Sequence, residues 1–124
     1  MKGDSMQRSE SLKKNQDFQK VYKHGTSKGN RYLVMYVLKN QYMKNRLGIS
    51  VSKKVGNSVV RHRVTRLIRE SYRLNEKSFR QGLDIVVVAR PNAKDKSYQE
   101  IESALMHLAG RMKIRREAEL HVED

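Results

Sequence analysis

One run of residues constrains the fold more than any other. Leu83 to Arg90 (LDIVVVAR) is almost continuously apolar and rich in β-branched side chains, and it ends at Pro91, the only proline in the chain. A strand with so few polar residues has no solvated face, so it must lie centrally in a sheet or be covered on both sides. Amphipathic segments flank it in the chain. Ser97 is placed to cap a last helix whose Ile101, Ala104, Leu105, Leu108 and Met112 form one apolar stripe. Near the start, Asn15 is placed to cap a short helix with Asp17 in its first turn, Phe18, Val21 and Tyr22 at helical spacing, and Gly25 as its stop. On pattern alone, Phe18 and Tyr22 simply dock on a core.

Two more segments read as strands. Arg31 to Asn40 (RYLVMYVLKN) alternates so that Tyr32, Val34, Tyr36 and Leu38 share one face and Leu33, Met35 and Val37 the other. Arg46 to Lys53 places Leu47, Ile49 and Val51 on one side, with Gly48, Ser50 and Ser52 on the other. The short polar loop between them predicts an antiparallel hairpin. A strand face carrying only a glycine and two hydroxyls is shallow. If the aromatic face lies beside it, Tyr32 and Tyr36 border a groove of the kind on which unpaired bases stack, whereas the plain alternative is an ordinary solvated sheet face.

Composition then restricts the partner. The chain has 124 residues, the size of one domain, with 27 Lys plus Arg against 13 Asp plus Glu, a formal charge of +14 and a pI near 10.2. Four of the acids, Glu117, Glu119, Glu123 and Asp124, follow the last basic residue, Arg116. Such an excess of positive charge points to a polyanion, with nucleic acid the first candidate. A mean hydropathy of −0.83 would suit a disordered chain if the apolar residues were scattered, but they are clustered. The absence of cysteine excludes disulfides, Cys-based zinc fingers, iron–sulfur clusters and thiol nucleophiles, and fits a reducing cytosol. The longest apolar run, Tyr32 to Leu38, is too short to cross a bilayer, and the first residues have no signal-peptide character. A cytoplasmic protein with no membrane partner and no small-molecule substrate is expected.

The charge concentrates between the second and third strands, in KKVGNSVVRHRVTRLIRE, Lys53 to Glu70. Gly56 and Asn57 suit a turn, Asn57 or Ser58 suits an N-cap, and a helix follows from about Val59 to about Leu74. Val60, Val64, Leu67, Ile68 and Ser71 share its apolar side, with Leu74 at the margin. His62, Arg66, Arg69 and Arg73 lie opposite, with Arg61 and Arg63 on the shoulders. Glu70 is the one acid set against these arginines, whereas ordinary surface helices intersperse the two signs. Guanidinium groups grip phosphate bidentately and stack on bases, which a lysine cannot do. Lys53, Lys54 and the Gly56-Asn57 turn add an anion-seeking helix N-terminus.

VGNSVVRHRVTRLIRE resembles the signature of the bacterial ribonuclease P protein family, with its glycine-asparagine lead-in and arginine-studded helix. LKKNQDFQKVYKHGTSKGNRYLV and LDIVVVARP are similar to the family's other blocks, so the resemblance spans Leu12 to Met112. It implies a protein that assists a catalytic RNA in removing the 5′ leader from precursor tRNA. It also implies a left-handed βαβ crossover around the arginine helix, which periodicity does not suggest. By resemblance, Lys53, Lys54, Asn57, Arg61, Arg63, Arg66 and Arg69 contact the RNA subunit or the leader near the cleavage site. His62 and Arg73 share that helix face. Phe18, Tyr22, Val34, Tyr36 and Ser50 line the leader groove by resemblance, with Tyr32 added from the alternation. Where the family motif has Asn, this chain has His62, and a frequently basic position is Thr65. A histidine there still hydrogen-bonds and makes the contact sensitive to pH.

The expected fold is therefore α+β, a small single-domain α/β sandwich with a central mixed sheet, a short first helix, the basic crossover helix and a last helix. Its expected organisation is a flexible lead-in over 1–14, an RNA-binding domain over 15–114 and an acidic tail over 115–124. The four histidines lack metal-ligand spacing and the acids form no carboxylate pair, so Mg²⁺ is expected to be held mainly by RNA and the polypeptide to carry no catalytic residue. A rival from another class is a structural RNA-binding protein, ribosomal or chaperone-like, which needs the basic helix but no single-strand groove.

Overall fold

The computed structural model describes residues 6 and 8–116. Among the described residues five strands build one mixed sheet, and three α-helices pack on its two faces. The strands are β1 (Ser9–Ser11), β2 (Thr26–Gly29), β3 (Leu33–Lys39), β4 (Asn45–Ser50) and β5 (Leu83–Ala89), and the helices are α1 (Asn15–His24), α2 (Ser58–Leu74) and α3 (Tyr98–Arg111). None of the helices is long and apolar enough to cross a membrane. The sheet order is β1-β4-β5-β3-β2.

The apolar run at Leu83–Ala89 takes the central position that its composition demands. Its side chains serve two separate cores. Ile85 and Val87 join Leu33, Met35, Val37 and Leu47 beneath α2 and α3, where Val64, Ile68, Tyr72, Ile101, Leu105 and Leu108 complete a fully packed layer. Val86 points the other way, into a smaller cluster with Leu12 and Val21, against which Phe18, Tyr22, Tyr36, Leu38 and Val88 pack. α1 thus covers part of the second face and leaves the rest open.

The expected hairpin does not form. β5 inserts between β3 and β4, pairing antiparallel with β3 and parallel with β4. A loop short enough for a hairpin does not compel one. The strand with the most apolar surface gains most by burial at the centre, and that displaces its less greasy neighbours outward. β4, α2 and β5 then form a βαβ unit with the basic helix as the crossover.

Two edge strands were not legible. Ser9–Ser11 lies in the segment expected to be a flexible lead-in, yet it pairs parallel with β4, and Leu12 behind it is buried. Its sequence, SES, has no strand signature, and the pairing is supplied by β4. β2, Thr26–Gly29, has every residue exposed and pairs antiparallel with β3. At the other end, residues 117–124 of the expected acidic tail lie outside the described residues. Arg80 N–H donates to the Ile114 carbonyl at 2.8 Å, so the chain stays on the domain past α3.

Helix ends follow their capping chemistry. Asn57 Oδ1 accepts from Val60 N–H at the start of α2, and Ser97 with Glu100 forms a reciprocal capping box on α3. On α1 the cap residue is Lys14 without a side-chain bond, and Asn15 is the first helical residue instead of the cap.

An ion pair between a half-buried arginine and a buried carboxylate fixes β4 against β5 at one end of the open face. Arg46 Nε and Nη2 donate to the two carboxylate oxygens of Asp84 at 2.9 and 2.7 Å, and Asn40 Nδ2 donates to Asp84 Oδ1 at 2.8 Å. Burial pushes the Asp84 carboxyl upward, but these hydrogen bonds and the Arg46 charge outweigh it and hold the group below its ordinary 3.8. A depressed carboxyl contributes stability that is present above its unfolded value and is lost as pH falls through its folded one. Urea unfolding followed against pH is therefore expected to show stability falling below about pH 4. Asp84→Asn should remove that portion of the pH dependence and cost about 1 to 3 kcal/mol at neutral pH, because it replaces a charge-assisted bidentate contact and leaves Arg46 with Asp17, at 3.6 Å, as its counter-charge.

Gly48 sets the height of α1 above the sheet. A Cβ there would lie 2.6 Å from Phe18 Cζ and 3.2 Å from Leu12 Cβ, so Phe18 rests directly on the β4 backbone. Gly48→Ala is expected to lift Phe18 and destabilise the protein by about 1 to 2 kcal/mol, measured by thermal unfolding.

Candidate nucleic-acid interface

The register of the sheet arranges its open face in rows. Tyr36, Val86 and Gly48 are aligned across β3, β5 and β4, and the next row is Val34, Val88 and Ser50. The first row lies beneath α1, where the Tyr22 ring meets Tyr36 edge-on at 4.9 Å and Phe18 lies 6.4 Å from Tyr22. The second row has only short side chains and is half-buried, with no helix over it. Together they make a shallow floor walled on one side by three half-buried rings.

Five of the six expected groove residues, Phe18, Tyr22, Val34, Tyr36 and Ser50, meet on this face. Tyr32 does not. Asn30 Oδ1 accepts from both Tyr32 N–H and Leu33 N–H, a local turn that ends the alternation before β3 begins. Tyr32 consequently packs against the α2/α3 core, with Lys96 Nζ 5.3 Å from its ring centre. The sequence also missed Val88, which occupies the middle of the floor only because β5 is the central strand.

α2 is an amphipathic helix that buries Val64, Ile68, Ser71 and Tyr72 and turns its basic side outward. Tyr72, missing from the expected apolar side, is fully buried and shares its hydroxyl with Ser9 at 2.7 Å and Asn45 at 3.2 Å. Burial raises the Tyr72 phenol above its ordinary value, so it serves as a neutral structural group.

The expected cations are not equivalent. Lys53, Lys54, His62 and Arg66 are exposed, and Arg69 is half-buried. Arg61 Nε folds back to the Gly56 carbonyl at 3.2 Å, stabilising the turn. Arg63 donates to the carbonyls of Lys94 and Lys96 at 3.4 and 2.8 Å, so it ties α2 to the loop before α3. Arg73 Nη2 is 2.6 Å from Glu70 on the same helix, which offsets its charge. Asn57 is engaged through its oxygen as the cap and keeps its amide N–H₂. Thr65 donates to the Arg61 carbonyl at 2.8 Å, satisfying its hydroxyl inside the helix.

These two surfaces meet at one end of the sheet. β4 ends at Ser50 on the groove floor, and the turn carrying Lys53 and Lys54 leads directly to the start of α2. The basic helix then runs behind the sheet, so its later arginines face away from the groove. The shared region is therefore the turn and the first turns of α2.

A divalent cation does not fit this region as a protein-held ion. Among the described residues no three His, Asp or Glu side chains gather, and those nearest the turn are ammonium and guanidinium groups that repel a cation.

Comparison with known proteins agrees with this architecture. The family model for ribonuclease P matches residues 6–113. The ribonuclease P protein component of Lachnoclostridium phytofermentans is 68% identical over 106 residues, covering 86% of this chain and 91% of that protein. That of Alkaliphilus metalliredigens is 56% identical over 109 residues, 88% of this chain and 98% of the other. The solved Staphylococcus aureus RNase P protein superposes with a TM-score of 0.78 at 42% identity, over 84% of this chain and 95% of that one. For the Thermotoga maritima RNase P protein the TM-score is 0.76 at 32% identity, over 82% and 96%. With the match running through the basic crossover helix, the central strand and the groove, the chain belongs to the ribonuclease P protein family.

Proposed function

We propose that this chain is the RNA-binding subunit of a bacterial ribonuclease P, assisting a catalytic RNA in endonucleolytic removal of the 5′ leader from precursor tRNA. The observation that carries the reading is the juxtaposition of an aromatic-walled, shallow sheet face with the cationic turn at the start of α2. A purely structural RNA binder needs the second feature and has no use for the first.

Each surface has its own role. Phe18, Tyr22 and Tyr36 offer ring edges and faces to unpaired bases of the leader, and Val34, Val88 and Ser50 leave room for the strand to lie flat. Lys53, Lys54, His62, Arg66 and Arg69, with the Asn57 amide, contact phosphates of the RNA subunit or of the leader near the scissile bond. Arg61 and Arg63 act mainly by holding the turn and the following loop in place, and Arg73 contributes less because Glu70 offsets it. The phosphodiester chemistry belongs to the RNA, and Mg²⁺ serving it is carried by RNA phosphates.

The two surfaces are separable in a reconstituted holoenzyme. Adding the protein to a matching catalytic RNA at low Mg²⁺ should increase precursor cleavage; no effect on rate or on leader affinity would favour the structural binder. Arg66→Ala should weaken binding to the RNA subunit and reduce the slope of log affinity against log salt by roughly 0.7 to 0.9. Phe18→Ala should weaken precursor binding by about 1 to 3 kcal/mol per unstacked base while leaving mature tRNA affinity unchanged. Identical behaviour of the two variants would contradict the division.

His62 occupies an exposed position on the basic side of α2, where a neutral hydrogen-bonding side chain suffices. His62→Asn is expected to retain cleavage activity, checked by single-turnover kinetics; a large loss would assign His62 a specific contact of its own.

A further inference from the structure

We propose that a cavity at the end of the sheet, on its α3 side, receives an unpaired nucleotide of the leader after the strand leaves the groove. This extends the groove reading above and rests on it. The cavity holds about 470 Å³ and is lined by Asn30, Arg31 and Tyr32 before β3 and by α3 residues that include Glu100, Ser103 and His107. That volume lies in the range of small-ligand sites and accommodates a base with its ribose.

Its walls are preorganised. Asn30 Nδ2 donates to the Ala104 carbonyl at 2.9 Å and lies 3.2 Å from His107 Nδ1, while Asn30 Oδ1 accepts from Tyr32 and Leu33 N–H. One side chain therefore joins the strand that lines the groove to the helix that lines the cavity. Tyr32 supplies an aromatic ring at the mouth, with Lys96 above it.

The cavity lies on the α3 side of the sheet, opposite the groove, and the turn at Asn30–Tyr32 joins the two faces at the end of β3. The last row of the groove floor is Val34, Val88 and Ser50, with Gly29 paired to Val34 at its margin. Tyr32 precedes Val34 by two residues, about 7 Å along an extended chain. Arg90 stands at the junction: its N–H donates to the Tyr32 carbonyl at 2.8 Å and its Nη1 to the Asn30 carbonyl at 3.2 Å. The same guanidinium lies 3.6 Å from where a Gly29 side chain would begin, so it reaches the groove margin and the cavity margin together.

Charge favours a phosphate at the rim. Arg31 lines the cavity, Arg90 reaches the Asn30 carbonyl and Lys96 lies over the Tyr32 ring, while Arg63 holds the loop carrying Lys94 and Lys96 through their backbone carbonyls. Arg63 is thus a positioning residue for Lys94 and Lys96. Two acids oppose this charge, one of them in the cavity lining itself. Glu100 accepts from Ser97 N–H at 3.0 Å as part of the α3 cap, and Asp95 lies between the two lysines in the loop.

The test measures affinity of the reconstituted holoenzyme for precursor tRNAs with leaders of increasing length. In the unaltered protein, affinity should rise in a further step once the leader is long enough to pass the Val34–Val88–Ser50 row. Ser103→Trp, which fills the cavity from the exposed side of α3, should abolish that step, a loss of about tenfold for long leaders, while short leaders bind unchanged. Tyr32→Ala should lose the same step and Tyr32→Phe should keep it, and unchanged binding of short leaders by Tyr32→Ala separates lost stacking from a folding defect.

Three results would overturn the proposal. If Ser103→Trp and Tyr32→Ala keep the length-dependent step while Phe18→Ala weakens leader binding, the cavity assignment fails and the groove stands. If affinity is insensitive to leader length in every variant, Phe18→Ala included, the groove reading fails first. If the variants instead weaken binding to the RNA subunit regardless of leader, the nucleotide in the cavity belongs to that RNA and the leader assignment is wrong.

Discussion

Burial of β5 on both faces is the constraint from which the rest of the molecule follows. A strand with almost no polar surface gains more by occupying the centre of the sheet than β3 and β4 gain by pairing with each other. Once it is central, one of its faces requires the large α2/α3 layer, and the other requires only α1 and Leu12. The second face is left half covered. The open half becomes the groove, and because β4 leads into α2, its end adjoins the cationic turn.

The groove depends on small residues as much as on aromatic ones. Gly48 lets Phe18 sit on the sheet, and Val88 and Ser50 keep the neighbouring row low. A larger residue at Gly48 would raise α1 and fill the space a base would use. The opposite end of the same face is closed by the Arg46–Asp84 pair, with Asp17 3.6 Å from Arg46 and the Tyr42 ring beneath its guanidinium. Arg46 is thereby committed to structure, although composition alone would count it with the RNA-binding cations. For the same reason net charge overstates the interface: Arg61, Arg63 and Arg73 all spend donors on the protein itself.

Much of this was legible before any coordinates. The central strand, the capped last helix, the apolar and basic sides of α2 and the α1 pattern are local properties, set by periodicities of about two or 3.6 residues and by capping chemistry. The family resemblance supplied the function and most of the groove residues. What escaped depended on partners distant in sequence. Ser9–Ser11 becomes a strand because β4 offers an edge, the β3–β4 hairpin is displaced by β5, and Val88 joins the floor through that displacement. Tyr32 was misplaced because the Asn30 side chain holds it in a turn, so β3 begins one residue after the apolar run does. Tyr72 was overlooked since a tyrosine at the edge of a helical stripe is buried only when its hydroxyl finds partners, here Ser9 and Asn45.

The central claim is that unpaired RNA runs across the half-covered face of the sheet toward the start of α2. Zero-length photo-crosslinking from single 4-thiouridines placed along the leader, in the assembled holoenzyme, tests it most directly when the modified residues are identified by mass spectrometry. The account predicts adducts on Phe18, Tyr22, Tyr36 or Val34 from one stretch of leader, and on the Lys53–Lys54 turn from nucleotides nearer the cleavage site. Adducts confined to the β2 edge or to the far half of α2, with none on the α1 face, would contradict it.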